Sequence, residues 1–181
     1  MIRLQTEPLD PLQLLALLDS PQGETGATVT FCGTVRDDGA VLALELEQYP
    51  GMTGKALLQL EEEARLRWTL AKTVLVHRTG RIALGQPIVW IGISSPHRAE
   101  AFAACEFLID ALKSRVPLWK KVHYRDGHSQ WLEAHPADQQ RAGRWQEALS
   151  APPSAPAPAD PGAPASAGTA GADPAPAAPR E

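Results

Sequence analysis

A chain of 181 residues, 44% of them hydrophobic, has room for one domain with a real core and at most an appendage. Its formal net charge of -4 argues against bulk binding to nucleic acid or an anionic membrane, which needs a dominant positive field. Two cysteines, Cys32 and Cys105, make neither a disulfide framework nor a zinc motif; the start lacks the build of a signal peptide, and no apolar stretch approaches the roughly 20 residues of a membrane span. A soluble, cytoplasmic protein is expected.

Asp10-Pro11 reads as a helix N-cap with proline at the first helical position, opening a short helix through Leu18. Residues 26–36 alternate, with Val29, Phe31 and Val35 opposite Thr28, Thr30, Cys32 and Thr34, which predicts a strand. A turn at Asp37-Asp38-Gly39 leads to a second strand from Val41 to Tyr49. After Pro50-Gly51-Met52, Thr53 caps a helix to about Trp68 that recurs through Leu57, Leu60 and Ala64. Residues 72–78 and 87–94 are strand candidates separated by a glycine-bearing connection.

A third helix opens at Ser95-Pro96 with Phe102, Cys105, Ile109 and Leu112 on one stripe, and Val116-Pro117 stops it. Strands around Leu118–Tyr124 and Ser129–Ala134 flank an Asp126-Gly127 turn, and a terminal helix spans about Ala137–Leu149. Interleaved helices and strands with a hairpin near each end imply an α+β fold, helices packed on a mostly antiparallel sheet. Residues 150–181 hold 9 prolines and 12 alanines and no Leu, Ile, Val or aromatic residue. Such a segment cannot bury enough apolar area to offset its ordering entropy, so the domain is read as residues 1–149 and the rest as a disordered tail.

Charge is the most informative local feature. From Lys113 to Arg125 there are five Lys or Arg residues, one His and no acid. A solvated basic face is the plain reading of such a run. Here Lys113 ends a helix and Lys120 lies just past the Val116-Pro117 break, so both ammonium groups can turn toward one spot, with Trp119 to exclude water. Ser94-Ser95-Pro96-His97-Arg98 sets His97 and Arg98 at a helix N-terminus, where unpaired N–H groups favour an anion. Gly33-Thr34-Val35-Arg36 places a glycine and a cation at a strand end, which suits close approach by a ligand as well as plain structure. Cys105 sits on the apolar stripe, Cys32 has no neighbouring base, and the histidines show no metal-ligand spacing.

In these segments the sequence closely resembles the catalytic, large-subunit family of molybdopterin synthase. The matching stretches are Phe31-Cys32-Gly33-Thr34-Val35-Arg36, Leu46 through Thr53, and Val76-His77-Arg78-Thr79-Gly80. Most diagnostic are Ser95-Pro96-His97-Arg98, Phe107 through Lys113, and Pro117-Leu118-Trp119-Lys120-Lys121, followed by Trp131-Leu132-Glu133-Ala134 and Asp138-Gln139-Gln140. The resemblance implies an α/β-hammerhead-like fold and a homodimer of large subunits. It also implies a small ubiquitin-like sulfur carrier at each outer end, completing a heterotetramer. The carrier's Gly-Gly C-terminus bears a thiocarboxylate, and the substrate is cyclic pyranopterin monophosphate, which receives the dithiolene sulfurs of molybdopterin.

By that resemblance Lys113 and Lys120 are the catalytic lysines, and Thr34, Val35, Arg36, His97, Arg98, Lys121 and Val122 fall at substrate-contacting positions. Many relatives carry an acid where Val122 stands, and some a basic residue where this chain has His135. No metal or cofactor is implied, because the nucleophile arrives on the partner. Fixed cations in a partly dry pocket suit the negative charge that the transfer builds on oxygen. Arg98 and Lys113 lie fifteen residues apart on one predicted helix, roughly 22 Å at about 1.5 Å per residue. One small substrate does not span that distance, so His97 and Arg98 of one protomer are expected to complete the pocket of the other. Two rival readings are a non-catalytic dimeric module docking a ubiquitin-like partner, and a stand-alone enzyme on another phosphorylated heterocycle.

Overall fold

A computed structural model describes residues 1–20, 23–133 and 136–147, so the expected tail, His135 and the end of the terminal helix lie outside the described residues. Among the described residues, eight strands form two four-stranded sheets. Sheet A contains β1 (Ile2–Gln5), β4 (Lys72–Arg78), β6 (Pro87–Ser95) and β2 (Ala27–Thr34), in that order. Sheet B runs β5 (Gly80–Ala83), β3 (Val41–Gln48), β7 (Leu118–Tyr124), β8 (Ser129–Leu132). All pairings are antiparallel except β1 with β4.

The two inner strands of sheet A are covered on both faces and accordingly read as nearly continuous apolar runs. On one face lie helices α2 (Met52–Arg67) and α3 (Arg98–Arg115), packed on Leu75, Ile91 and Ile93. On the other, α1 (Pro11–Ala16) and the residues around it bring Leu9, Leu14 and Leu18 onto Val74, Val76 and Trp90. Asp10 caps α1 as its sequence predicts, accepting from the amides of Leu12 and Gln13. A fourth helix, α4 (Pro136–Glu147), lies along α3. Among the described residues no helix is long and apolar enough to cross a membrane.

The structure departs from the sequence reading at several places, the capping of α2 by Gly51 in place of Thr53 among them. The strands on either side of the Asp37-Asp38-Gly39 turn are not a hairpin: β2 belongs to sheet A and β3 to sheet B, so the turn carries the chain between layers. The glycine-bearing connection holds a strand, β5, and a further strand, β1, precedes the first helix; four-residue strands are too short for a period to show. On α3 the buried stripe is Ala101, Ala104, Cys105, Leu108, Ala111 and Leu112, and Phe102 is 63% exposed. Alanines let this helix settle close on the sheet, and that face outcompetes the one containing Phe102. Last, α3 begins at Arg98, because Ser95 still belongs to β6.

Thr53 sits inside α2, whose N-cap is Gly51 in the left-handed region (φ 78°). Its buried hydroxyl accepts from the Tyr49 amide at 2.9 Å and donates to the Pro117 carbonyl at 2.7 Å. One side chain thereby ties the corner between β3 and α2 to the corner between α3 and β7.

Gly92 has a packing reason. A methyl group there would lie 2.5 Å from Cζ3 of the buried Trp90 and 2.6 Å from Cδ1 of Leu18. Gly92→Ala is therefore expected to destabilise the fold by about 1–3 kcal/mol, the usual effect of overpacking, measured by urea denaturation. An unchanged midpoint would show that Trp90 has room to move.

Candidate active site

Where the two sheets and the last turns of α3 converge, they enclose a cavity of about 440 Å³. Sheet A contributes Phe31, Val89 and His77; α3 contributes Ile109 and Leu112; sheet B contributes Leu44, Leu46 and Val122. Into this largely apolar enclosure come three cationic side chains, Arg36, Lys113 and Lys120.

Lys113 reaches the cavity from the last turn of α3, and its ammonium is 3.7 Å from Asp138 Oδ1 on α4. Lys120 comes from β7, where it pairs in register with Leu46. Burial holds the Lys120 pKa below the ordinary lysine value, and the nearby charge of Lys113 lowers it further, while Asp138 acts in the opposite sense. Two ammonium groups at one half-dry site are what lowers a lysine toward useful proton exchange.

The strand end carrying Thr34, Val35 and Arg36 also lines the cavity. Pairing between β2 and β6 shifts register between Gly33 and Thr34, a bulge that re-aims the residues after it. Gly33 allows close packing at this point, since a Cβ there would touch Val89 Cγ1 at 3.0 Å. Exposed Arg36 donates from Nε to both oxygens of Asp38 at 2.8 Å, which raises its pKa. Val122 is buried in the same wall.

The other predicted site residues lie elsewhere on this protomer. His97 and Arg98 are exposed at the opposite end of α3, with His97 as its N-cap. The Ser95 hydroxyl accepts from the His97 amide at 3.3 Å, and Glu100 supplies a negative charge to the first turn. Lys121 alternates to the far face of sheet B, its ammonium 5.2 Å from the Trp131 ring centroid. The basic run therefore disperses: Arg115 pairs with Glu63 at 2.8 Å and Arg125 with Asp37 at 3.0 Å. Lys113 and Lys120 are the members that share the cavity.

Sequence reasoning passed over His77. It is 3% exposed in the cavity floor, with Nδ1 2.7 Å from the Arg78 carbonyl oxygen, so Nδ1 carries the proton and Nε2 is left as an acceptor. No motif spacing reveals it; only the meeting of the sheets does. Cys105 is buried, which together with Glu106 pushes its thiol up to about 11, and Cys32 is likewise raised by burial. Neither is primed as a nucleophile. Among the described residues no group of three or more His, Cys, Asp or Glu side chains could hold a metal ion.

This combination defines a class: an α+β protein of two packed sheets whose joint cavity presents paired lysines and an arginine. The family is identified by comparison. Residues 4–115 match the model described as MoaE protein, up to the last residue of α3. The molybdopterin synthase catalytic subunit of Cereibacter sphaeroides is 45% identical over 146 residues, covering 80% of this chain and 99% of that protein. The solved MoaE protein of Burkholderia ambifaria is 42% identical with a TM-score of 0.68, covering 80% of this chain and 97% of its own. Molybdopterin synthase from Staphylococcus aureus is 35% identical with a TM-score of 0.65, covering 72% and 95%. The chain belongs to the MoaE family, that of the molybdopterin synthase catalytic subunits, enzymes of molybdopterin biosynthesis.

Burial displaces the His77 pKa from its ordinary 6.5 to about 4, only partly countered by the bond to the Arg78 carbonyl, with Lys120 lowering it slightly more. The unfolded chain therefore binds a proton between about pH 6.5 and 4 that the folded chain refuses, and stability falls as pH drops through that window, by up to about 3 kcal/mol. His77→Gln should flatten this part of a denaturation-against-pH curve. A variant curve parallel to the native one would assign the acid sensitivity to other groups.

Proposed function

We propose that this chain transfers sulfur from the thiocarboxylated C-terminus of a small ubiquitin-like carrier to cyclic pyranopterin monophosphate. Two transfers, with opening of the cyclic phosphate, give the dithiolene of molybdopterin in the cytoplasm. The observation that carries the reading is the meeting of Lys113 and Lys120 at one apolar-walled cavity, from different elements and with Arg36 at its rim. The relatives' names set the pathway; the geometry suits the charge the reaction develops.

Thiocarboxylate attack on a pterin side-chain carbon gives a thioester to the carrier, whose hydrolysis leaves sulfur on the pterin and a carboxylate on the carrier; negative charge builds on oxygen in that hydrolysis, and phosphate-ester opening builds more. Fixed ammonium groups in a partly desolvated cavity stabilise such charge without reorganising. Lys113, at the open rim, is assigned to the carrier's terminal carbonyl. Lys120, deeper and with its pKa lowered, is assigned to proton transfer or to the developing oxyanion. Arg36 holds phosphate by exchanging its exposed pairing with Asp38, beside Thr34 and Val35, while Val122 shapes the wall. No in-chain nucleophile is needed, because sulfur arrives on the carrier. Residues 1–149 are read as the catalytic unit.

His97 and Arg98 enter this reading through a second protomer. α3 is one unbroken helix from Arg98 to Arg115, so its two ends cannot serve one small substrate. In a homodimer, His97 and Arg98 of one protomer complete the partner's cavity, and a carrier at each outer end makes a heterotetramer. Lys121, on the far face of sheet B, is assigned to the margin where the carrier or the second protomer approaches.

Reconstitution tests the reaction: purified chain, cyclic pyranopterin monophosphate and thiocarboxylated carrier, with product followed as its oxidised fluorescent derivative. Product is expected to depend on the carrier, and Lys113→Ala should lower turnover by about 10²–10³-fold with the carrier still bound. A folded protein that binds carrier yet makes no product would leave a docking module in its place. Mixing Lys113→Ala with Arg98→Ala chains tests the shared cavity. Activity should return in the mixture, since each heterodimer then contains one intact site; two inactive variants that stay inactive together would refute sharing.

A further inference from the structure

α4 lies along the second half of α3, and three carboxylates, Glu106 and Asp110 on α3 and Asp138 on α4, fix the way it lies. Asp110 of α3 is 6% exposed and accepts from Arg144 Nη2 at 2.7 Å and from Trp145 Nε1 at 3.0 Å. The Trp145 ring meets Phe107 and Trp68 edge-on, at centroid separations of 5.5 and 5.8 Å. This end of α4 is held by hydrogen bonds and aromatic packing that owe nothing to the cavity.

The other end comes up beside Lys113, which lines the cavity. Seven residues before Trp145, and so about two helical turns away, Asp138 presents Oδ1 at 3.7 Å from Lys113 Nζ. Its side chain is 19% exposed and that of Lys113 38%. A lone ion pair of this kind is worth little for stability. This one differs because the anion's position is set by the Asp110 anchor, while the cation is a long, flexible side chain at an open rim. Without a fixed anion, Lys113 has rotamers that swing it into solvent; with it, those facing the cavity are favoured.

We propose that Asp138 is a positioning residue, holding the Lys113 ammonium at the cavity and setting the electrostatic balance between Lys113 and Lys120. The proposal rests on the lysine-centred reading above. Charges facing this point come from four elements: Lys113 on α3, Lys120 on β7, Asp138 on α4, and the Arg36–Asp38 pair after β2. His77 on β4 stays neutral above about pH 4 and adds no charge at working pH. Asp138 is thus the carboxylate opposing two cations, and it acts on both: directly on Lys113, and at longer range on Lys120, whose pKa it raises against burial and the charge of Lys113.

The sign of a substitution follows. Removing the Asp138 charge lets the Lys120 pKa fall further. Whether Lys120 works as the ammonium or as the amine, the limb of the pH–activity profile that reports it moves to lower pH. Asp138→Asn keeps side-chain size and first-turn polarity, and Asp138→Glu restores the charge.

The test uses the full chain with ¹³C-labelled lysine, following the Lys120 Cε resonance against pH, beside turnover in the reconstituted synthase. In Asp138→Asn the Lys120 midpoint and the matching activity limb should both move down. kcat should fall roughly threefold to fivefold, the scale of one partly exposed ion pair, with KM for the pterin changed less. Asp138→Glu should recover most of both. A Lys120 midpoint unmoved in Asp138→Asn, or a pH profile that superimposes on the native one, would overturn the proposal. The titration needs no turnover, so an inactive native protein would sink the sulfur-transfer reading while Asp138 was still judged by the resonance shift.

Discussion

The arrangement depends on one break in the chain, at Val116-Pro117. A residue before proline is disfavoured in the helical region, and Val116 is accordingly extended (φ -99°, ψ 123°). The helix must stop there and the chain must turn. The Thr53 hydroxyl fixes the direction by bonding the Pro117 carbonyl and the Tyr49 amide together. Leu118 then enters register with Gln48, and the pairing runs unbroken from there to His123 beside Ala43, Lys120 beside Leu46 included. A small change in that corner would move Lys120 relative to Lys113, because no other covalent path so short joins them.

Around that corner the cavity is dry enough for two cations to matter. A chain of net charge -4 does not build a general positive field. It spends most of its one basic run on local partners: Arg115 on Glu63, Arg125 on Asp37, Lys121 on the face of Trp131. What remains is a pair of ammonium groups against Leu, Ile, Val and Phe side chains, where charge is less screened than at the surface. On the function proposed here, selectivity for an anionic substrate comes from this local contrast, and the acidic remainder discourages bulk polyanions.

Much of this was legible beforehand. The alternation in β2, the apolar runs of β4 and β6, and the Asp10-Pro11 cap each gave an element within a residue or two, because local pattern and tertiary packing agree there. Layer membership was not legible. Nothing local says that β2 and β3, joined by an ordinary turn, belong to different sheets. On α3, the small Ala101, Ala104 and Ala111 won the buried face from Phe102, an outcome decided by how closely the helix can approach the sheet. At the candidate site, Lys113, Lys120 and Arg36 could be named from charge and breakpoints, Thr34 and Val35 only through the resemblance, and helix length alone separated His97 and Arg98 from them. Lys120 and Lys121, both substrate-contacting positions by the resemblance, are divided by the alternation of β7, which sends Lys121 to Trp131 on the other face. His77 and Asp138 carry no such signal: their places follow from a strand meeting a second sheet and from a helix anchored elsewhere.

The order of elements along the chain has a consequence for synthesis. All four strands of sheet A, and the helices α2 and α3 that cover it, lie before Val116. Sheet B has only β3 and β5 by then, and its other two strands come last. A growing chain can therefore close its main core early, while β3 waits with one edge unpaired for a partner made much later. The sheet A and α3 walls of the cavity can form early, but the wall that carries Lys120 is missing until β7 docks, so a chain interrupted after α3 would hold a sound hydrophobic core and Lys113 without the second ammonium group.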